Sequence, residues 1–124
     1  MKLRISAAEW KIMDLLWQEP RTLMELVSIL AVSEEWSKST VTTMVRRLES
    51  KQILRYEQNG RTKIFYAAIA RNEAAAEQTS SFLQRTYNGS LGSMVSGMVE
   101  RNDLTRQDIE ELYAILRRAE EALK

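Results

Sequence analysis

Cysteine and histidine are both missing from this chain of 124 residues. Without cysteine there is no disulfide, no thiolate zinc site and no cysteine nucleophile. Without histidine the commonest general base and metal ligand are gone as well. A glycine-rich phosphate loop is lacking, and no paired carboxylates fall on a predicted cleft, so the residues argue against an enzyme. The acidic doublets Glu110-Glu111 and Glu120-Glu121 read as solvated helix faces, because a hard cation needs oxygens that converge. Neither a metal nor any other cofactor is expected. No apolar run approaches the roughly 18 residues of a membrane span, and Met1–Arg4 leads into no signal-peptide core. The expectation is a soluble, cytoplasmic protein without membrane insertion.

What is present is an uneven charge. The net charge of +1 conceals a stretch from Ser37 to Lys63 with seven basic residues (Lys38, Arg46, Arg47, Lys51, Arg55, Arg61, Lys63) against Glu49 and Glu57. The remainder, from Ala67 onward, is mildly acidic, with nine acidic and seven basic residues. Positive charge confined to one module suggests an anionic partner for that module alone.

Local signals divide the chain into short elements. Ser6 and Glu9 form a capping box ahead of a helix whose apolar residues Trp10, Ile12, Met13, Leu15, Leu16 and Trp17 stop before Pro20. Thr22 starts a second helix with Leu23, Leu26, Val27 and Leu30 on one side. Ser37 is the expected N-cap of a third, in which Val41, Met44, Val45 and Leu48 make one buried stripe. Ile53-Leu54 opens a strand, Ile64-Phe65-Tyr66 its partner, and Gln58-Asn59-Gly60-Arg61 is the expected turn, since Asn-Gly is the strongest short hairpin signal. Three further helices follow. Phe82, Leu83 and Tyr87 mark the first, Leu91, Met94, Val95, Met98 and Val99 the second, and Ile109, Leu112, Ile115 and Leu116 the third, which Asp103 or Thr105 caps. The three tryptophans are expected in packing between helices. The fold expected is mainly α with a two-stranded β-wing. Residues 1–70 form an N-terminal winged helix-turn-helix, and residues 71–124 a C-terminal helical dimerisation element.

The third helix and the hairpin carry the chemistry. At 100° per residue Ser39, Thr43, Arg46 and Arg47 project away from the apolar stripe, with Thr42 beside them. A helix fits the major groove of B-DNA, where an arginine fork matches guanine or clamps a phosphate, and where short hydroxyl side chains let the helix sit deep. Ser37, Lys38 and the first-turn amides suit a phosphate at the helix N-terminus. Arg61 and Lys63 flank the hairpin turn, and Asn59-Gly60 lets the backbone approach DNA closely. Double-stranded DNA is therefore the expected partner. One reading helix gives too little specificity against a genome. The apolar stripes after Ala67 are too extensive to leave exposed, so a homodimer built on Phe82, Leu83, Tyr87, Leu91, Met94, Val95, Met98, Val99, Ile109, Leu112, Ile115 and Leu116 is expected. The alternative is a winged helix that uses the same surface for protein–protein contacts.

Several runs together resemble the penicillinase-repressor family (BlaI/MecI/CopY) over almost the whole chain. Ile5-Ser-Ala-Ala-Glu-Trp10 with Leu16-Trp17 resembles its opening helix, and Trp36-Ser-Lys-Ser-Thr40-Val-Thr-Thr43 with Arg47-Leu48 and Lys51 its recognition helix. Gly60-Arg61 and Phe65-Tyr66 match the wing, and Met98 to Leu112 is similar to the dimerisation tail. The resemblance implies a homodimeric winged-helix repressor on a TACA/TGTA-type palindrome, governing a resistance or stress operon. It places Thr40, Thr43 and Arg47 among the DNA contacts; Lys51, a basic residue of the same signature, is also expected there. Thr42 stands where some relatives have an arginine, which changes the expected base preference at that flank. The copper-responsive branch uses a C-terminal Cys-x-Cys cluster, which a chain without cysteine cannot form. In the β-lactam branch a membrane sensor metalloprotease cuts an Asn–Phe bond. That bond aligns with Gly97–Met98 here, where both residues differ.

Overall fold

The computed structural model describes residues 4–124. The order of elements is α1 (Ala7–Gln18), β1 (Arg21–Thr22), α2 (Leu23–Ser33), α3 (Lys38–Ser50), β2 (Leu54–Asn59), β3 (Thr62–Ala67), α4 (Arg71–Tyr87), α5 (Leu91–Glu100) and α6 (Arg106–Ala122). The chain divides into two compact units, one running through Thr79 and the other from Ser80 to Lys124, so the division falls inside α4.

Helix starts follow the caps. Ser6 Oγ accepts the Glu9 amide at 3.0 Å, and the Glu9 carboxylate accepts the Ser6 amide at 2.9 Å, a complete capping box. Thr22 and Glu25 repeat the arrangement at α2, and Thr105 and Asp108 at α6, which settles the sixth helix on Thr105. Both of those carboxyls are held below their ordinary pKa, foremost by the backbone amide of the capping threonine.

The first unit is built on one core. Ile12, Met13, Leu26, Val41, Leu48 and Ile53 have no exposed surface, and Leu16, Leu30, Val45, Leu54, Phe65 and Ala74 join them. Burying each of the larger of these side chains stabilises the fold by about 1.5–3 kcal/mol before the entropy of ordering is counted. Of the four stripe residues expected on α3, Val41, Val45 and Leu48 are buried and Met44 packs at the margin. Trp10 and Trp17 meet edge to face at 5.0 Å, and Trp17 Nε1 donates to the Ile69 carbonyl at 2.9 Å. Trp10, Trp17 and Trp36 all pack against the core.

The wing belongs to a three-stranded antiparallel sheet, ordered β1-β3-β2, where only two strands were expected. Arg21 pairs with Phe65 and Thr22 with Ile64. A two-residue strand between Pro20 and a helix cap has no periodicity to detect, because its pairing is entirely non-local. The hairpin turn also lies one residue later than expected. Asn59 pairs with Thr62, so Gly60 and Arg61 are the central residues. Gly60 has φ +65° and Arg61 does not share the positive φ, the pattern of a II′ turn with glycine first. Pairing register outweighs the Asn-Gly preference here.

In the second unit α5 and α6 bury no residue. Phe82 and Tyr87 of α4 meet edge to face at 5.8 Å. Asn88 (φ +51°) and Gly89 (φ +82°) end α4 in the left-handed region, and Ser90 caps α5 by accepting the Ser93 amide. No helix among the described residues is long and apolar enough to cross a membrane.

Candidate nucleic-acid interface

A short turn places α3 across α2. Glu35 takes φ +58° within the segment between the helices, and Ser37 then caps α3 by accepting the Thr40 amide at 3.2 Å. This is a helix-turn-helix, with α3 in the position of the recognition helix. Burying Val41, Val45 and Leu48 turns the opposite side of α3 outward. Ser37, Lys38, Ser39, Thr43, Arg46 and Arg47 are exposed, and Thr40 and Thr42 are partly so. The amides of Lys38 and Ser39 precede the first intrahelical acceptors and point out of the helix N-terminus.

Hydrogen bonds at this surface sort the hydroxyls. Ser37 Oγ lies 3.0 Å from Thr40 Oγ1 and 3.4 Å from Ser39 Oγ, a hydroxyl cluster at the helix start. Thr42 Oγ1 donates back to the Lys38 carbonyl at 2.8 Å. That donor is engaged within α3. Thr43 forms no side-chain hydrogen bond among the described residues.

The cations divide as well. Among the described residues Lys38, Arg46, Arg47, Arg61 and Lys63 form no ion pair with a carboxylate. Arg55 pairs with Glu57 at 3.0 Å and stacks over Tyr66, 4.4 Å from the ring centre. Lys63 sits over the Tyr56 ring at 4.2 Å and keeps its charge unneutralised. Lys51, expected among the DNA contacts, is bonded within the protein: its Nζ donates to Glu9 Oε1 at 2.9 Å, Glu9 Oε2 at 3.1 Å and the Arg4 carbonyl at 2.7 Å. Glu9 is buried, and burial by itself raises its pKa. The Ser6 amide, the Lys51 ammonium and the Ser6 hydroxyl outweigh that and hold the carboxyl below its ordinary value. Glu9 was legible only as a cap, because its second partner lies 42 residues away.

The result is a helix with an open polar face and, among the described residues, cations without a carboxylate partner, followed by a hairpin that exposes Asn59, Gly60 and Arg61 at its turn and Lys63 on β3. That is the helix-plus-wing layout that reads a groove and holds the flanking backbone. The family model for the penicillinase repressor matches residues 5–118. The chain belongs to the penicillinase repressor family. Its members are DNA-binding repressors, not enzymes. The penicillinase repressor of Bacillus licheniformis is 34% identical over 114 residues, covering 91% of this chain and 89% of that protein. The methicillin resistance regulatory protein MecI of Staphylococcus aureus is 26% identical over 113 residues, covering 90% and 92%. Among solved structures, the DNA-binding domain of the repressor BlaI superposes with a TM-score of 0.54 at 27% identity, over 59% of this chain and 90% of that one. Bacillus licheniformis BlaI in monomeric form, bound to the blaP half-operator, matches with a TM-score of 0.53 at 27% identity, over the same shares. The fold and the family therefore agree on a winged-helix repressor.

Proposed function

We propose that this repressor binds a palindromic DNA operator of the TACA/TGTA type as a homodimer, in the cytoplasm, and controls a resistance or stress operon. The observation that carries the reading is the set Lys38, Arg46, Arg47, Arg61 and Lys63 on α3 and the wing, which pairs with no carboxylate among the described residues. In this reading Ser37, Lys38 and Ser39 hold a phosphate at the N-terminus of α3. Thr40, Thr42, Thr43 and Arg47 face base edges, and Arg46 reads a base or holds a phosphate. Asn59, Arg61 and Lys63 follow the flanking backbone. Residues 1–70 are the reader and residues 71–124 the dimerisation element.

Exposed apolar surface in the tail supports the dimer. Leu91 is 55% exposed, Val99 53% and Leu116 58%, with Phe82, Ile109 and Ile115 above 39%. Leu83, Tyr87, Met94, Val95, Met98 and Leu112 lie between them, half-buried. Stripes this apolar call for a second surface to cover them. Release by a membrane sensor metalloprotease at Gly97–Met98 is the regulatory part of the proposal. The bond lies inside α5, so cutting needs local opening. Gly97, where an added Cβ meets nothing within 4 Å, weakens the helix by about 1 kcal/mol relative to alanine. Incubation with the cognate protease and mass spectrometry tests it; DNA-released samples that contain only intact chain would rule it out.

The operator reading is tested by fluorescence anisotropy on a TACA/TGTA palindrome and a scrambled duplex at two salt concentrations. Tight, salt-sensitive and palindrome-selective binding is expected. Weak or equal binding to both would refute it and favour a protein-contact role for the same surface.

A further inference from the structure

Among the described residues Lys51 is the one cation of the reader region tied to a buried carboxylate. Glu9 is 3% exposed, whereas the Lys51 side chain is 37% exposed, so a phosphate contact is the natural rival role for it. An ammonium has three N–H donors. The two Glu9 oxygens and the Arg4 carbonyl take all three, at 2.7–3.1 Å. Turning Lys51 toward DNA would leave a buried carboxylate without its cation, which is strongly unfavourable. The same Glu9 also closes the cap of α1.

The backbone of Lys51 is equally constrained. It is the C-cap of α3, and its amide donates to the Arg47 carbonyl at 3.0 Å. Gln52 then takes φ +63°. Its amide donates to the Glu49 carbonyl, and the Ile53 amide donates to Leu48, which completes a Schellman end. Leu48 and Ile53 are both fully buried. A continuous line of bonds thus runs from the start of α1 through Glu9 and Lys51 to the turn of α3 that bears Arg46 and Arg47.

We propose that the Glu9–Lys51 pair is a positioning device for the recognition helix: it sets how Arg46 and Arg47 are presented, and Lys51 does not touch DNA. The inference rests on the operator reading above and sharpens it. A bidentate base contact is geometrically demanding, so a small rotation of α3 weakens recognition while general attraction to phosphate persists.

The test compares the full-length wild-type chain with Lys51→Met, Glu9→Gln and the double variant. Each is titrated on the TACA/TGTA palindrome and on a scrambled duplex across a salt series, with thermal melts to confirm folding at the assay temperature. Positioning predicts that both single variants lose on the order of ten-fold affinity for the palindrome. Loss on scrambled DNA is smaller, the salt slope is unchanged, and the double variant is no worse than either single one. A phosphate contact predicts that Lys51→Met loses affinity on both duplexes with a salt slope shallower by about one per protomer, while Glu9→Gln, by freeing the ammonium, binds as well or better. That pattern would overturn the inference. Lower melting temperatures with unaltered palindrome preference would overturn it too, by reducing the pair to a stabilising contact. If Lys51→Met fails to fold, Glu9→Gln and the double variant still decide, because neither leaves a buried charge unpaired. Wild-type binding blind to the palindrome would refute the operator reading and this inference with it. Selective wild-type binding beside unaffected variants would refute this inference alone.

Discussion

The salt dependence of the proposed operator binding follows from which cations the fold leaves without a carboxylate partner among the described residues. Of the seven basic residues between Ser37 and Lys63, Lys51 and Arg55 are matched to Glu9 and Glu57. Lys38, Arg46, Arg47, Arg61 and Lys63 remain. If one of Arg46 and Arg47 reads a base, about four cations per protomer, or about eight on the proposed dimer, neutralise phosphates. Each phosphate neutralised contributes about −0.9 to the slope of log affinity against log salt, so the slope should lie near −7. Raising salt from about 50 to about 200 mM should then weaken binding by about ten-thousand-fold. Anisotropy titrations at four or more salt concentrations on the palindrome measure this directly. Arg61→Ala should make the slope shallower by about one per protomer and weaken all sequences alike. A slope shallower than about −3, or one unmoved by Arg61→Ala, would refute the assignment of these side chains to the DNA backbone.

Other outcomes follow from the same arrangement. Arg47→Ala should cost about 1–3 kcal/mol on the palindrome and relax discrimination; equal losses on specific and scrambled duplexes would remove its reader role. Leu112→Asp should abolish the proposed dimerisation and tight operator binding with it, and light scattering that still reports a dimer would rule this out. Gln52→Gly should stabilise the chain by about 0.5–1 kcal/mol, because glycine adopts the left-handed cap without a Cβ clash; an unchanged or lowered urea midpoint would contradict it. Glu9 has a depressed pKa in the folded state, so its contribution is complete above the ordinary carboxylate range and is lost as pH falls through the folded value. The stability advantage of wild type over Glu9→Gln in urea should therefore shrink on acidification, and an advantage independent of pH down to about pH 3 would show that the carboxylate charge does not contribute.

Short-range physics made most of the elements readable from the chain alone. Caps such as Ser6 with Glu9, and Thr105 with Asp108, bond across three residues, and the Val41, Val45 and Leu48 stripe repeats with the helix itself. Helix starts, the outward face of α3 and the existence of a hairpin were accordingly legible, and with them the winged-helix fold. Features that depend on distant partners were not. Strand β1 exists only because Arg21 and Thr22 meet Phe65 and Ile64, and the turn centres on Gly60-Arg61 because the β2–β3 ladder pairs Asn59 with Thr62. The sequence could count seven cations between Ser37 and Lys63, but folding sorted them. It brought Lys51 to Glu9 across 42 positions and left Arg46 and Arg47 without a carboxylate partner among the described residues. Whether a charge is free or matched depends on tertiary proximity, which local periodicity does not encode.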